Sequence, residues 1–362
     1  MILTSLKGLR FPSAHPLCGG EFHELLEVTE TASEDSGWQP VHITNSKAAL
    51  PGYLKFHSYG EYIFDWAWAN FYHQHGLNYY PKLIHALPFT PVNAPKVLGD
   101  QTQFADLAKE SYALYLSHAQ ISGEHYLFTS PDENRLLHTM GFELMHTLQF
   151  HWSNTYQSFQ HFLETLTPHK RRMIHKERKK VANYPLVIRE LSGADLAQEL
   201  MQEVYQLYLT TIEKKHSQAY LNLAFFEQLT NFLPQKTLIL AAYEEERLIA
   251  MSLFFISDHA LYGRYWGISP EVEEKYRLLH FELCYYRGME ICIERGIPLF
   301  EAGAQGEQKL WRGFSPVTIT SAHHIKDQRM FTPIKHYIQE QNLKNAELIK
   351  SYKELLPYKT QL

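Results

Sequence analysis

Apolar residues fall into two rhythms along this chain, one helical and one strand-like, and each predicts its own elements. Leu196, Leu200, Val204, Leu207 and Tyr208 share one face of a helix over residues 193–214, and Phe281, Cys284, Tyr285, Gly288, Ile291 and Cys292 share one face over 278–294. Phe104, Leu107, Tyr112, Tyr115 and Leu116 predict a helix over 104–118, and residues 223–232 predict another. Residues 331–337 and 343–356 also have helical spacing, and DENRLLHTMG reads as a short capped helix ending in Gly141. Short apolar runs predict strands at 41–44, 52–57, 83–89, 125–129, 142–151, 186–191, 238–243, 248–256, 260–266, 297–302 and 318–325, the runs at 238–243 and 248–256 forming a hairpin.

The stretch HSYGEYIFDWAWANFYHQHG passes from a strand into a helix ending at Gly76. Its Tyr59-Gly60-Glu61-Tyr62 is echoed by Tyr262-Gly263-Arg264-Tyr265, and in both places an aromatic helix ends in glycine (Gly76, Gly296) before a strand. The echo predicts one fold used twice. Mixed strands and helices give an α+β class. The expected boundaries are an irregular N-terminal segment at 1–37, with TETASEDSG as a flexible acidic loop, a first domain at 38–166, and a basic linker helix at 167–182. A second domain at 183–328 and a helical segment at 329–362 complete the chain.

The basic helix, TPHKRRMIHKERKKV, sets Lys170, Arg171, Arg172, Lys176, Arg178, Lys179 and Lys180 against one acid, Glu177. Such a run is either a solvated linker or a face that meets phosphates. The chain as a whole is acidic, with 34 Lys and Arg against 39 Asp and Glu and a net charge of −5, which argues against general DNA affinity and makes any phosphate binding local. Three cysteines, Cys18, Cys284 and Cys292, without CxxC spacing suggest neither a disulfide framework nor a thiolate metal site. Among 21 histidines the pairs His73/His75 and His323/His324 lack the spacing for ligands on one helical face, so no metal is expected. No leader and no membrane insertion are expected, and a cytoplasmic, reducing location follows.

Candidate chemistry concentrates in FEAGAQGEQKLWRGF, residues 300–314. Glu301 sits at the carboxyl end of an apolar run, Gly303 and Gly306 let the backbone approach a ligand, and Gln305, Glu307, Gln308, Lys309 and Arg312 follow densely. The plain alternative is a tight turn with a solvated charged rim.

The blocks HSYGEYIFDWAWANFY, GLNYYPKL, PFTPV, QFHWSN, KRRMIHKER, GRYWG, HFELCYYRGMEICIERG and FEAGAQGEQKLWRGFSP resemble the signature blocks of the bacterial FemAB-like predicted N-acyltransferases, a peptidoglycan biosynthesis or recognition family. The resemblance spans roughly residues 38–324. It implies two GNAT-like domains in tandem and transfer of an acyl or aminoacyl group to an amine. CoA-dependent GNAT enzymes carry a Gln/Arg-x-x-Gly-x-Gly/Ala loop that holds pyrophosphate at a helix start. Here that place reads SPEVEEKYRLLHFE, without glycine and with several carboxylates, which favours aminoacyl-tRNA over acyl-CoA as donor while leaving both open.

Acyl transfer needs a deprotonated amine, a polarised carbonyl and close alignment of the two. Glu301 is the candidate for orienting or deprotonating the amine, and Arg264 and Lys309 for stabilising the carbonyl oxygen or binding phosphate. Tyr59, Glu61, Asp65, Trp66, Lys82, Trp152, Tyr265 and Trp266, with Gly303, Gln305, Gly306 and Arg312, are the candidate substrate contacts. Lys170, Arg171, Arg172 and Arg178 are the candidate phosphate contacts, for a charged tRNA or for CoA. The expected acceptor is an amine of a small molecule or peptide, such as a cell-wall precursor. The competing expectation is a protein that binds such a precursor without catalysis.

Overall fold

The computed structural model describes residues 1–63, 65–303 and 306–359. The chain divides into two compact units, one of residues 1–148 and 318–349, the other of residues 149–317 and 350–362. Residues 149–166 therefore belong with the second unit and residues 318–349 with the first, so the chain enters each unit twice.

In the first unit, strand Trp38–Pro40 pairs antiparallel with Tyr53–Lys55, which pairs antiparallel with Lys82–His85. Lys82–His85 then runs parallel to Gly123–Tyr126 through Leu83↔Glu124, Ile84↔His125 and His85↔Tyr126. Strand Ser315–Ile325 closes this side antiparallel, with Ala322 opposite Tyr126. A small sheet of Ile2–Leu3, His42–Thr44, Ala48–Leu50 and Leu98–Gly99 stands apart. One core joins Ile43, Leu50, Val97, Leu107, Tyr126, Leu137 and Phe142, while a second gathers Trp68, Tyr72, Tyr79 and Met145 against Phe331, Ile334 and Ile338 of helix Gln328–Glu354.

The N-terminal segment is more ordered than its sequence predicts. Helix Glu21–Val28 buries Phe22, Leu25 and Leu26, and Glu27 accepts hydrogen bonds from the Leu6 amide and sits 3.0 Å from His42 Nε2. Its eight residues span little more than two turns, too short for periodicity to stand out beside the acidic loop that follows.

In the second unit, strands Val187–Ser192, Thr237–Glu244, Arg247–Ile256 and Ala260–Ile268 form an antiparallel meander. A helix over residues 279–294 then returns the chain to Leu299–Glu301, which lies parallel to the start of Ala260–Ile268 and antiparallel to the end of Glu143–Ser153. Helix Gln198–Lys214 packs on Ala260–Ile268 so closely that a Cβ on Gly267 would stand 1.9 Å from the Leu207 carbonyl oxygen. Only glycine fits there.

The internal echo does not mark equivalent places. After Tyr262-Gly263-Arg264-Tyr265 the helix joins two parallel strands, whereas the helix Trp66–Gln74 after Tyr59-Gly60-Glu61-Tyr62 joins Tyr53–Lys55 to its antiparallel neighbour. The parallel crossover of the first unit is instead Lys82–His85, helix Phe104–Ser117 and Gly123–Tyr126. Both predicted strands there, 83–89 and 125–129, end early, at His85 and Tyr126, and beyond them Phe89 and Phe128 adopt left-handed backbone with φ of 57°.

Gly267→Ala is expected to destabilise the chain by about 1–3 kcal/mol through overpacking against a backbone atom that cannot rotate away. A denaturant midpoint equal to wild type would show that the helix can back off freely.

Candidate active site

Parallel pairing between Ala260–Ile268 and Leu299–Glu301 lasts only from Ala260↔Leu299 to Tyr262↔Glu301. Beyond Glu301 the pairing stops, and three further departures from regular backbone gather at that place. Leu253 pairs with Tyr265 and Phe254 with Gly263, so Arg264 is the extra residue of a β-bulge. A bulge turns one side chain out of the ordinary alternation, and bulges often border active sites. Helix 279–294 contains a π-turn over Glu282–Tyr286, whose Cys284 sulfur reaches the Ser252 hydroxyl at 3.5 Å. After Glu301 the backbone turns through Gly303 and Gly306, with φ of 83° and 115°, into the 3-10 helix Glu307–Arg312.

Glu301 is 4 % exposed, and its Oε2 has no hydrogen-bond partner among the described residues. His151, opposite Glu301 in the strand pairing, places Nε2 3.8 Å from that oxygen. Burial pushes the Glu301 carboxyl up to about 8, against the pull of Arg264. Lys309, 1 % exposed, donates from Nζ to the Gly303 carbonyl at 2.5 Å. Burial lowers its ammonium to about 7, with Cys284 opposing and Arg264 adding to the drop. His151 is lowered to about 4 by burial and by Lys309, so it is neutral at physiological pH. Burial raises the Cys284 thiol to about 12, which leaves it protonated and poorly nucleophilic.

The loop is held from below by Arg312, which is 3 % exposed. Its guanidinium stacks 3.5 Å from the Phe281 ring centroid, donates to both Glu177 oxygens at 2.8 and 2.9 Å, and donates to Tyr286 and to the Gln308 carbonyl. Arg312 is thus fully engaged inside the unit, and Glu177, the lone acid of the basic helix, is its partner. Tyr352 donates to Glu307, and Tyr358 donates to the Gly313 carbonyl at 2.5 Å. Arg178 is likewise engaged, with Glu282 at 2.8 Å and Glu290 at 2.6 Å. Lys170 lies over the Trp311 ring at 4.8 Å, and Arg171 and Arg172 have no ion-pair partner among the described residues. Trp152 is enclosed with Tyr156 and Phe162, Tyr265 packs on Tyr208, and Trp266 meets His280. Gln305 lies outside the described residues.

The remaining sequence candidates form a separate cluster in the first unit. Lys82 donates to Glu61 at 2.8 Å, to Ser58 at 3.0 Å and to Asp65, and Tyr79 donates to Asp65 at 2.7 Å. Burial carries Glu61 up to about 7, while Asp65 ends below its ordinary value because Lys82 outweighs the burial. Lys82 and Asp65 form the ion pair, and Glu61 keeps its proton longer. Above them Tyr59 and Trp66, 44 % and 39 % exposed, meet edge to face at 5.0 Å. Lys55, stacked 3.8 Å from the Trp38 ring centroid, donates to the Tyr59 carbonyl and fixes this loop; no local sequence pattern marks it, since its signal is burial alone.

A family model described as FemAB-like, peptidoglycan biosynthesis/recognition, matches residues 5–360. The chain belongs to the FemAB-like family. No curated protein matches the sequence. Among solved structures, the C-terminal domain of a putative lysylphosphatidylglycerol synthetase from Agrobacterium fabrum is 10% identical, with 91% of this chain and 93% of that one covered at a TM-score of 0.56. L-PGS from Bacillus licheniformis is 11% identical, covering 89% and 96% at 0.54. FemX is 9% identical, covering 91% and 96% at 0.52. These likenesses establish a shared fold, the α+β arrangement of helix-flanked sheets. Among the described residues no group of three or more His, Cys, Asp or Glu is placed to hold a metal ion, and no helix is long and apolar enough to cross a membrane.

Arg312→Ala is expected to cost about 3–5 kcal/mol, because it leaves Glu177 without its buried partner. Hydrogen exchange should quicken across residues 306–313; unchanged protection there would separate Arg312 from the order of the loop.

Proposed function

We propose that this FemAB-like chain is an N-acyltransferase that moves an acyl or aminoacyl group onto the amine of a polar acceptor, with the reaction at Glu301, Lys309 and Arg264. The observation that carries this reading is a buried acid whose Oε2 has no hydrogen-bond partner among the described residues and a buried ammonium held by one carbonyl, burial raising the first to about 8 and lowering the second to about 7. Titratable groups driven apart from their ordinary values in this way suit proton transfer near neutral pH.

The shifts favour an exchange of the roles that the sequence suggests. Between about pH 7 and 8 both groups are largely neutral. Lys309 can donate one hydrogen to the Gly303 carbonyl and keep its lone pair for the proton of the attacking amine. Protonated Glu301 donates a hydrogen bond to the carbonyl oxygen of the donor, and the Arg264 charge stabilises the oxyanion as it forms. The amine nitrogen bonds to the carbonyl carbon, and the ester or thioester bond to the donor breaks. The proton taken up by Lys309 passes to the leaving oxygen or sulfur.

Aminoacyl-tRNA is the favoured donor. Residues 269–278 hold Glu271, Glu273 and Glu274 in ion pairs with Arg247, Lys214 and Arg277, a poor cradle for pyrophosphate. Lys170, Arg171 and Arg172 are the phosphate contacts of this reading. The acceptor is an amine of a peptidoglycan precursor, in keeping with the family, or of a lipid headgroup, in keeping with the names of two structural relatives.

The test supplies labelled charged tRNA or acyl-CoA with a panel of amines. The rate should be bell-shaped in pH, falling below about 7 as Lys309 gains a proton and above about 8 as Glu301 loses one. Lys309→Arg, which stays charged, should reduce kcat by roughly a hundredfold or more and remove the acid limb. Glu301→Gln should keep part of the rate and lose the alkaline limb, and Glu301→Ala should lose both. Full activity in Lys309→Arg and Glu301→Ala would overturn the assignment, and binding of the amine without turnover from any donor would favour pure recognition. Arg171→Ala with Arg172→Ala should weaken tRNA binding and flatten its salt dependence by about two contacts, read as KM against salt.

A further inference from the structure

The first unit has a counterpart of the place where Glu301 sits. In the second unit Glu301 and the glycine turn follow the carboxyl end of a parallel strand pair joined by a helix. In the first unit the parallel pair is Lys82–His85 and Gly123–Tyr126, joined by helix Phe104–Ser117. Past its carboxyl ends, between residues 93–95 and 129–134, lies a cleft of about 800 Å³. Crevices beyond the carboxyl ends of strands are where sheets of this kind bind ligands, and a few hundred to about 1,000 Å³ is the usual size. The Lys82, Glu61 and Asp65 cluster is elsewhere, since Lys82 begins the strand whose other end feeds the cleft.

Two observations argue that the cleft is built. Beyond both strands the backbone passes through an aromatic residue in the left-handed region, Phe89 and Phe128, a conformation of order 1–3 kcal/mol above the favoured regions that persists where the surroundings impose it. The walls are also fixed: Ser130 and Glu133 form a reciprocal cap, Glu133 also accepts from the Lys96 amide at 2.8 Å, and the Thr129 hydroxyl donates to the Thr320 carbonyl at 3.0 Å.

Its chemistry differs from that of the second unit. Asn93, Gln101, Thr102, Asn134 and Thr320 line it with uncharged polar groups beside Phe104, Gln101 being held by the Val97 and Gly99 carbonyls and Asn134 by the Thr129 hydroxyl. Neither lysine nor arginine lines it, so a phosphate or carboxylate has no cation to meet. Of the two acids, Glu133 is consumed by the cap and Asp132 is paired with Arg135 at the rim. Asn93 holds a buried Oδ1 with no hydrogen-bond partner among the described residues. Uncharged hydrogen-bonding groups beside flat apolar surface match the edge and face of a sugar ring.

We propose that this cleft is a binding site for a neutral saccharide unit, separate from the proposed transfer centre and independent of whether transfer occurs. The experiment is calorimetric titration of the full chain with cellobiose, N,N′-diacetylchitobiose and glucose 6-phosphate. A neutral disaccharide should bind saturably and more tightly than the phosphate. Ala105→Trp, which fills the cleft from its helical wall, and Gln101→Ala, at an exposed position, should each weaken binding by about tenfold or more, while Lys309→Arg leaves it unchanged. Thermal melts establish that the variants fold. Absence of saturable binding by either neutral disaccharide, tighter binding of the phosphate, or binding that survives both cleft variants would overturn the proposal. Sugar binding by the wild-type chain without transfer from any donor would instead count against the transferase reading.

Discussion

Burial removes Glu301 and Lys309 from the water that would keep both charged, and withdrawing a charge from water costs several kcal/mol unless partners replace the lost solvation. Neither group is given a full set of replacements. Glu301 has the neutral His151 at 3.8 Å, and Lys309 has one carbonyl. Much of the second unit can be read as the apparatus that keeps this situation in place. The parallel pairing stops after three residues, the bulge carries Arg264 out of alternation, and Arg312 binds the loop to the basic helix through Glu177. Arg312 is as deeply buried as the pair it supports, but it has a carboxylate, a phenol, a carbonyl and an aromatic face. Arg312 is a buried cation with every partner, and Lys309 is one with almost none.

Elements with strong local rhythm were legible in the sequence. Helix Gln198–Lys214 and the hairpin of Thr237–Glu244 and Arg247–Ile256 lie where periodicity and turn residues put them. The place of Glu301 at the end of a buried strand was legible too, from an apolar run that stops before glycine. What escaped depends on contacts far apart in the chain. His151 reaches Glu301 only through strand register across 150 positions of sequence. The engagement of Arg312 and Arg178 with Glu177, Glu282 and Glu290 needs helix packing that no local pattern reports. The echo of Tyr59-Gly60-Glu61-Tyr62 in Tyr262-Gly263-Arg264-Tyr265 misled because a short motif can recur at different depths of a sheet, and pairing direction alone told the two places apart.

The two units treat charge in opposite ways at corresponding places. The second holds shifted acid and base groups where its parallel pairing ends, and the first holds amides and hydroxyls there, with its ion pair of Lys82 and Asp65 at the other end of the strand.

The tyrosines that fasten the loop have a consequence in time. Tyr352 and Tyr358 each grip a residue 45 positions earlier in the chain. At roughly 5–20 residues per second of synthesis, Glu307 and Gly313 wait about 2–9 s for the side chains that will hold them. A growing chain can therefore complete the meander of its second unit well before the loop at residues 306–313 is tied down, and the order of that loop waits on residues 352–358.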